Sequence, residues 1–503
     1  MSTRSAAEEH AADPLGTLER RQRPFLYLCG FVALLTAGLL VYSQTIALAW
    51  DEGFHLLAAQ LILRGRTPYL DFFHAQAPLY AYWNAFWMRI FGVSWRTAHA
   101  VSALLTAGAV MLTADLVFAR FKDLRGRLAW AILAAILVGL NTAVVEYGTV
   151  GQAYGLCLFL IVAAFRVTIV SVDRQGWLLS ALAGFLSGAA SAASLLTAPV
   201  GPVLLIWMLW YNRAGARWAK FAAFIGGTIV PFFPLLWLLA KAPRRVLFQA
   251  VEFHLFYRDA AWKPATQHNL EVLISWANDP AALLLGLLGA VGLCFIVSKS
   301  VWDRERRAEF YLCGWLTLTI TLYLFKAHPT FARYFLFAVP FLTMLATAGL
   351  YAIVSGVEVL RGPRWPVLVM ALVLAVGLGE EMYERRDDHS WPELEKTARK
   401  VNEVTPPQGM LLADEPIYFL TRRVPPEGME YGDTHKLKLP ADFAAALHVV
   451  PQAELERRIH AGVFDTTFTC DADKIKDLGL ADLYRMNFEI NDCHVFWDPK
   501  RHL

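Results

Sequence analysis

Long apolar blocks separated by short basic turns dominate the chain from residue 25 to residue 380. A helix rises about 1.5 Å per residue, so crossing roughly 30 Å of hydrocarbon takes about 20 apolar residues. Blocks at 25–47, 97–118, 128–145, 151–170, 216–240, 280–298, 309–325, 331–354 and 366–379 meet or approach that length. The uncharged stretch Trp177–Tyr211 would reach about 50 Å as one helix, too long for a single crossing. Pro199, Gly201 and Pro202 interrupt it, which predicts two short spans there and about eleven in all.

Parity follows from the basic residues, which concentrate in cytoplasmic turns of membrane proteins. With the N-terminus inside, every inside segment carries Lys or Arg, from Arg20, Arg21 and Arg23 to Arg361 and Arg364. The outside turns near Asn141 and Thr197 carry none. Residues 1–24 are then a disordered cytoplasmic tail and 25–380 the membrane domain. The first loop (48–96), a second large loop (241–279) and the C-terminal segment fall on the outer, periplasmic face of a bacterial cytoplasmic membrane.

Charges return after Glu380, and residues 381–503 read as a small soluble α/β domain. Ser390-Trp-Pro-Glu393 has the spacing of a capping box and opens a helix running to about Val404. Short strands are predicted at 410–413, 447–450 and 463–469, with a hairpin over Tyr484–Trp497 around Asn491-Asp492. Cys470 and Cys493 form a disulfide if this domain is outside; two separate thiols is the other reading. Cys29, Cys157, Cys294 and Cys313 fall in apolar blocks, without zinc-type spacing, and read as packing residues.

Composition agrees with a membrane protein: 56% of the 503 residues are hydrophobic, only 18% are charged, and the mean hydropathy is +0.41. A net charge of +3, dispersed among apolar blocks, excludes a nucleic-acid surface.

The chemistry gathers in the first loop. Apolar residues recur at helical spacing over Asp51–Arg64, and Pro78–Phe91 is an aromatic helix, so two helices are expected to lie flat on the outer leaflet. Asp51 and Glu52 stand at the mouth of the first span. One reading has Asp51 capping the following helix with Glu52 favoured by the helix dipole; the other has a charge kept at the membrane edge for function. Asp71 reads as a turn former.

Four motifs bear on that choice: W-D-E-G-x-H-L-L-A-A at Trp50–Ala59, R-G-R-T-P-Y-L-D-F-F at Arg64–Phe73, A-P-L-Y-A-Y-W at Ala77–Trp83, and H-P-T-F-A-R-Y-F-L-F-A-V-P at His328–Pro340. Together they resemble the GT-C membrane glycosyltransferases, in the bacterial branch of protein O-mannosyltransferases and the lipid A aminoarabinose transferase. The likeness spans roughly residues 25–380. It implies an inverting transferase that takes a sugar from a polyprenyl phosphate and passes it to a lipid, glycan or protein. It also implies a catalytic or metal-linked carboxylate at Asp51, with Glu52 beside it and a second acid at Glu146.

Such transfer needs a base for the acceptor hydroxyl and cations for the departing phosphate. Where relatives carry a phosphate-binding lysine in H-K-P-P-L, this chain has A-Q-A-P-L, with Gln76 at that place. Arg258, Lys263, Lys326, His328 and Arg333 are the replacement cations, Arg333 foremost because it begins an apolar span. Membrane headgroup contact is the alternative for each. No cofactor is called for beyond a divalent metal on Asp51 and Glu146, and a metal-free site is equally open. A transporter or flippase of a lipid-linked sugar and a non-catalytic binder are the competing functions. The acids lie at one face without a visible repeat, which favours an enzyme.

Overall fold

A computed structural model describes residues 14–122, 124–257, 265–298, 302–327, 329–356, 363–387, 389–490 and 492–500. Residues 1–13 of the expected tail, and Arg258, Lys263 and His328, lie outside the described residues. The chain opens with α1 (Pro14–Thr45), so residues 14–24 are helical where the sequence predicts a disordered tail. The first loop holds α2 (Glu52–Leu63) and α3 (Leu79–Phe91), and α4 (Trp95–Arg120) returns into the bundle. Next come α5 (Arg127–Gly139) and α6 (Thr142–Gly148), bent by 59° at the break, and α7 (Tyr154–Ser171). They are followed by α8 (Leu178–Ala193), α9 (Val200–Trp210), α10 (Arg217–Ile229) and α11 (Phe233–Lys241). The second loop contains α12 (Pro243–Leu247), a π-helical segment at Phe248–Tyr257 and α13 (Ala265–Asn278). The bundle closes with α14 (Pro280–Ser298), α15 (Arg304–Phe325), α16 (Val339–Gly356) and α17 (Arg364–Glu384).

Every apolar block predicted from the sequence is helical. Among the described residues, eight helices are long and apolar enough to cross a membrane, or nine if the bent α5–α6 pair is one span. A count of eleven is reached only by including α8 and α9, each shorter than a full crossing.

Close backbone approach holds the bundle, as expected where lipid removes the hydrophobic incentive for helices to associate. A Cβ on Gly292 of α14 would fall 2.0 Å from the Leu345 carbonyl of α16, and one on Gly349 1.9 Å from that of Leu288.

The C-terminal segment begins with α18 (Trp391–Val404), where the Ser390 N–H and hydroxyl each donate to the Glu393 carboxylate at 2.9 Å. A four-stranded sheet has the order β1-β2-β4-β3, with β1 (Leu411–Leu412), β2 (Thr466–Thr469), β3 (Tyr484–Ile490) and β4 (Cys493–Pro499). β1 and β2 run parallel; β4 pairs antiparallel with β2 and β3, setting Phe468 opposite Val495. Cys470 and Cys493 are joined, S–S 1.98 Å. The strand expected at 447–450 does not form. Leu447 and Val449 instead follow the helix Ala441–Ala446 and pack with Phe73, Phe248 and Phe253 from the two loops. Apolar runs that dock on another segment mimic a strand in sequence.

The first loop also departs from expectation. α3 exposes Phe86, Ile90 and Phe91, as an interfacial helix should, but α2 is buried on nearly all sides. Leu56, Leu57, Ala59 and Leu61 share one core with Trp391, Leu394, Ile417 and Phe419 of the C-terminal segment. Each such leucine contributes about 1.5–3 kcal/mol by leaving water. Helical periodicity identifies an apolar face but not whether lipid or protein covers it. Here the C-terminal segment does, so α2 is sandwiched between it and the bundle.

Gly349→Val is expected to lower the thermal unfolding midpoint of the detergent-solubilised protein by several degrees, because the α14–α16 crossing must open. An unchanged midpoint would show that this crossing carries no stability.

Candidate active site

The two adjacent acids have different surroundings. Glu52 is fully buried. Its carboxylate accepts the Gly151 N–H at 2.6 Å, the Trp391 indole N–H at 2.7 Å and the Ala49 N–H at 3.1 Å, and meets His99 Nε2 at 2.6 Å. His99 Nδ1 is in turn 2.6 Å from the Ser43 carbonyl. One side chain thus ties the end of α1, α4, the loop after α6 and the start of α18 together. Glu52 lines neither of the two cavities that Asp51 borders; the sequence reading that puts it beside the chemistry does not match where it sits. Gly151 must be glycine for this contact, since a Cβ would lie 2.9 Å from the Glu52 carboxylate and from Leu56.

Asp51 makes no side-chain cap bond to α2 although it occupies the N-cap position. Its Oδ2 instead accepts from the Arg333 guanidinium at 2.6 Å. The Asp51 side chain is half exposed. Arg333 enters from the 3-10 segment Ala332–Ala338 and is flanked by the rings of Phe331 at 4.5 Å, Tyr147 at 5.8 Å and Tyr334 at 6.0 Å. Such packing suits a guanidinium more than an ammonium. Its Nε is buried without a partner among the described residues.

Two cavities meet at this ion pair. The larger, about 1220 Å³, lies between the bundle and the C-terminal segment, lined on the bundle side by Asp51, Phe54, His55, Gln76, Gln152 and Arg333. Lys436, Lys438 and Lys474 line its opposite wall together with Asp414, Glu415 and Asp471. The smaller, about 470 Å³, is lined by Asp51 and Arg333 together with Glu146, Tyr147, Arg385 and His389. Glu146 pairs with Arg385, which also donates to Glu381 at 2.5 Å.

Of the residues singled out in the sequence, the fold brings Asp51, Glu146 and Arg333 together on the smaller cavity, while Gln76 lines the larger one with Asp51 and Arg333. Lys326 does not join them: it caps the end of α15, exposed and lining neither cavity. Asp71 is structural, accepting the Thr67 N–H at 2.7 Å. Four contributors were missed. His55 and Gln152 stand on the larger cavity, Arg385 pairs with Glu146, and Trp391 reaches Glu52. His55 lies inside W-D-E-G-x-H and Gln152 inside the Glu146 turn, so both motifs contained the signal. The partners of Arg385 and Trp391 are too distant in sequence to read.

Burial pushes the His55 imidazole down to about 3 and that of His74, in the same loop, down to about 4. Both are therefore neutral at physiological pH.

Comparison with solved structures identifies the fold. No protein-family model matches the sequence, and no curated protein matches it. This multi-pass membrane chain has the GT-C fold of membrane glycosyltransferases. Within that class it superposes on ArnT from Cupriavidus metallidurans bound to undecaprenyl phosphate, with a TM-score of 0.64 at 14% identity over 93% of this chain and 97% of that one. The apo form of the same protein gives 0.62 at 14% identity over 93% and 98%. The apo oligosaccharyltransferase of Archaeoglobus fulgidus gives 0.51 at 13% identity over 88% and 69%.

Glu52→Ala is expected to cost about 3–5 kcal/mol, since it strands several buried donors at once. Trp391→Phe removes one bond and should cost about 1–2 kcal/mol. Limited proteolysis that frees the C-terminal segment faster in both variants, in that order, is the readout; wild-type resistance in Glu52→Ala would contradict the clamp. The neutral histidines make a second expectation. A base whose folded pKa is depressed takes up protons more readily when unfolded, so stability is full above about 6.5 and falls as pH drops towards 3. His55→Gln should make the fall in unfolding midpoint over that window shallower; an unaltered slope would mean that His55 is not buried neutral.

Proposed function

We propose that the protein is a glycosyltransferase that moves a sugar from a polyprenyl-phosphate donor to a hydroxyl-bearing acceptor at the outer face of the membrane, with inversion. The observation that carries this reading is the Asp51–Arg333 pair, set where two cavities meet at the edge of a GT-C bundle. The ArnT structure of the same fold holds undecaprenyl phosphate, which supports a lipid phosphate as ligand.

The chemistry follows from the two groups. With the donor absent, Asp51 and Arg333 satisfy each other at 2.6 Å. A donor phosphate, a singly charged diester with two free oxygens, offers Arg333 a fork-matching partner and displaces Asp51 from it, and the second charge that develops as the sugar leaves strengthens that pairing. The freed carboxylate then takes the proton of the acceptor hydroxyl while its oxygen attacks the anomeric carbon. The bond from that carbon to the phosphate oxygen breaks on the opposite face, and the departing phosphate keeps the bonding electrons against Arg333. At about 1220 Å³ the larger cavity exceeds a typical small-molecule pocket, leaving room for donor and acceptor together. The basic inside turns support placing this face outside, with the N-terminus in the cytoplasm.

A divalent metal would be held by Asp51 and Glu146, which both line the smaller cavity, with water and donor phosphate supplying the remaining ligands. It would supply charge neutralisation at the leaving phosphate. Arg333 and Arg385 already balance the two carboxylates, so the proton transfer described here stands on the chain's own residues.

Transfer of labelled sugar from a short-chain polyprenyl-phosphate donor to endogenous acceptor in membrane vesicles tests the reading. Asp51→Asn is expected to lower the rate by about 10²–10⁴-fold with the fold intact. Arg333→Ala should raise the donor KM and lower kcat. Undiminished transfer by Asp51→Asn would remove this carboxylate from the mechanism.

A further inference from the structure

The transferase reading leaves open which sugar is carried, and the wall of the larger cavity bears on it; a sugar subsite on that wall rests on that reading. His55 and Gln152 both line this cavity, and are only 7% and 3% exposed. His55 Nδ1 and Gln152 Nε2 are buried with no hydrogen-bond partner among the described residues. A buried polar atom left unpaired forfeits its hydration without replacement, so two on one cavity wall are hard to explain as packing. The terminal torsions of His and Gln are broad and roughly two-fold, so rotation about them re-aims either nitrogen without moving the backbone.

The two residues are also positioned together. His55 lies one helical turn after Glu52 in α2, and Gln152 follows Gly151, whose N–H the same Glu52 carboxylate holds at 2.6 Å. The buried clamp therefore sets their separation, and Asp51, immediately before Glu52, stands beside them on the same wall. Phe54 and Tyr154 add aromatic faces suited to the apolar face of a pyranose.

We infer that His55 and Gln152 form the sugar subsite of this transferase, and that it is built for a neutral, hydroxyl-rich sugar rather than one bearing an ammonium group. The acids decide the second half. Glu52 already receives Ala49, Gly151, His99 and Trp391 and faces neither cavity. Glu146 is engaged by Arg385 on the smaller cavity, and Asp51 by Arg333. On the wall formed by α2 and the loop after α6, Asp51 is, among the described residues, the one carboxylate that lines the cavity, and once donor phosphate takes Arg333 it is committed to the acceptor proton. Asp414, Glu415 and Asp471 lie with the lysines on the opposite wall, so an ammonium beside His55 and Gln152 has no carboxylate of its own, and an unpaired buried charge is far costlier than an unpaired hydroxyl. His55, held neutral by burial, donates or accepts to a hydroxyl but adds no charge.

The test measures binding to the full chain in nanodiscs of three probes: a short-chain polyprenyl phosphate, its neutral hexosyl ester and its amino-sugar ester. The hexosyl ester is expected to bind about tenfold tighter than the bare phosphate, and the amino-sugar ester no tighter. His55→Ala and Gln152→Ala should each erase most of the hexosyl gain. Gln152→Glu keeps the shape and adds a carboxylate, and should shift preference towards the amino-sugar ester by about tenfold, which misfolding could not mimic. Wild-type preference for the amino-sugar ester, no gain from the hexosyl group, or an unmoved preference in Gln152→Glu overturns the subsite while the transferase reading stands. Failure of the wild type to bind even the bare phosphate overturns the transferase reading, and the subsite with it.

Discussion

A carboxylate sealed inside protein is stable only if its oxygens are fully occupied, and Glu52 meets that condition by drawing groups from four separate parts of the chain. Because the groups it collects belong to the end of the first span, α4, the loop after α6 and the first C-terminal helix, satisfying one charge assembles one corner of the molecule. The first loop, the Glu146 turn and the C-terminal segment are held in register by the same atoms. Everything on the larger cavity's bundle-side wall from Asp51 to Gln152 takes its place from this constraint.

The constraint also explains why two acids stand side by side. With Glu52 turned inward, Asp51 is left outward at the start of α2, half exposed and joined to Arg333. The inner acid supplies position, and in the proposed reaction the outer acid supplies charge where a lipid-borne phosphate and an aqueous hydroxyl would meet. The rings of Tyr147, Phe331 and Tyr334 flank the Arg333 guanidinium and hold it beside Asp51.

Much of this was readable in the sequence because it rests on local signals. Apolar length marks the spans, the Ser390–Glu393 spacing marks the start of α18, and alternation marks the final hairpin. Asp51, Glu146 and Arg333 stand out because charge at the edge of an apolar block is costly. The assignment of roles between Asp51 and Glu52 was not readable, since the partners of Glu52 lie 47, 99 and 339 residues away. The same distance problem hid Arg385 and Trp391, and turned α2 from an expected membrane-surface helix into a buried one. The false strand at 447–450 failed for a related reason: an apolar run records that it is covered, not by what. His55 and Gln152 were visible but unremarked, since a polar residue inside a motif says nothing of its unmet hydrogen bonds until its neighbours are placed.

The most direct test of the account is a structure of the protein in nanodiscs with bound polyprenyl phosphate. The account predicts the phosphate within hydrogen-bonding reach of Arg333, Asp51 released from that guanidinium and facing the larger cavity, and Glu52 still holding its four partners. A phosphate bound elsewhere with the Asp51–Arg333 pair intact would contradict it.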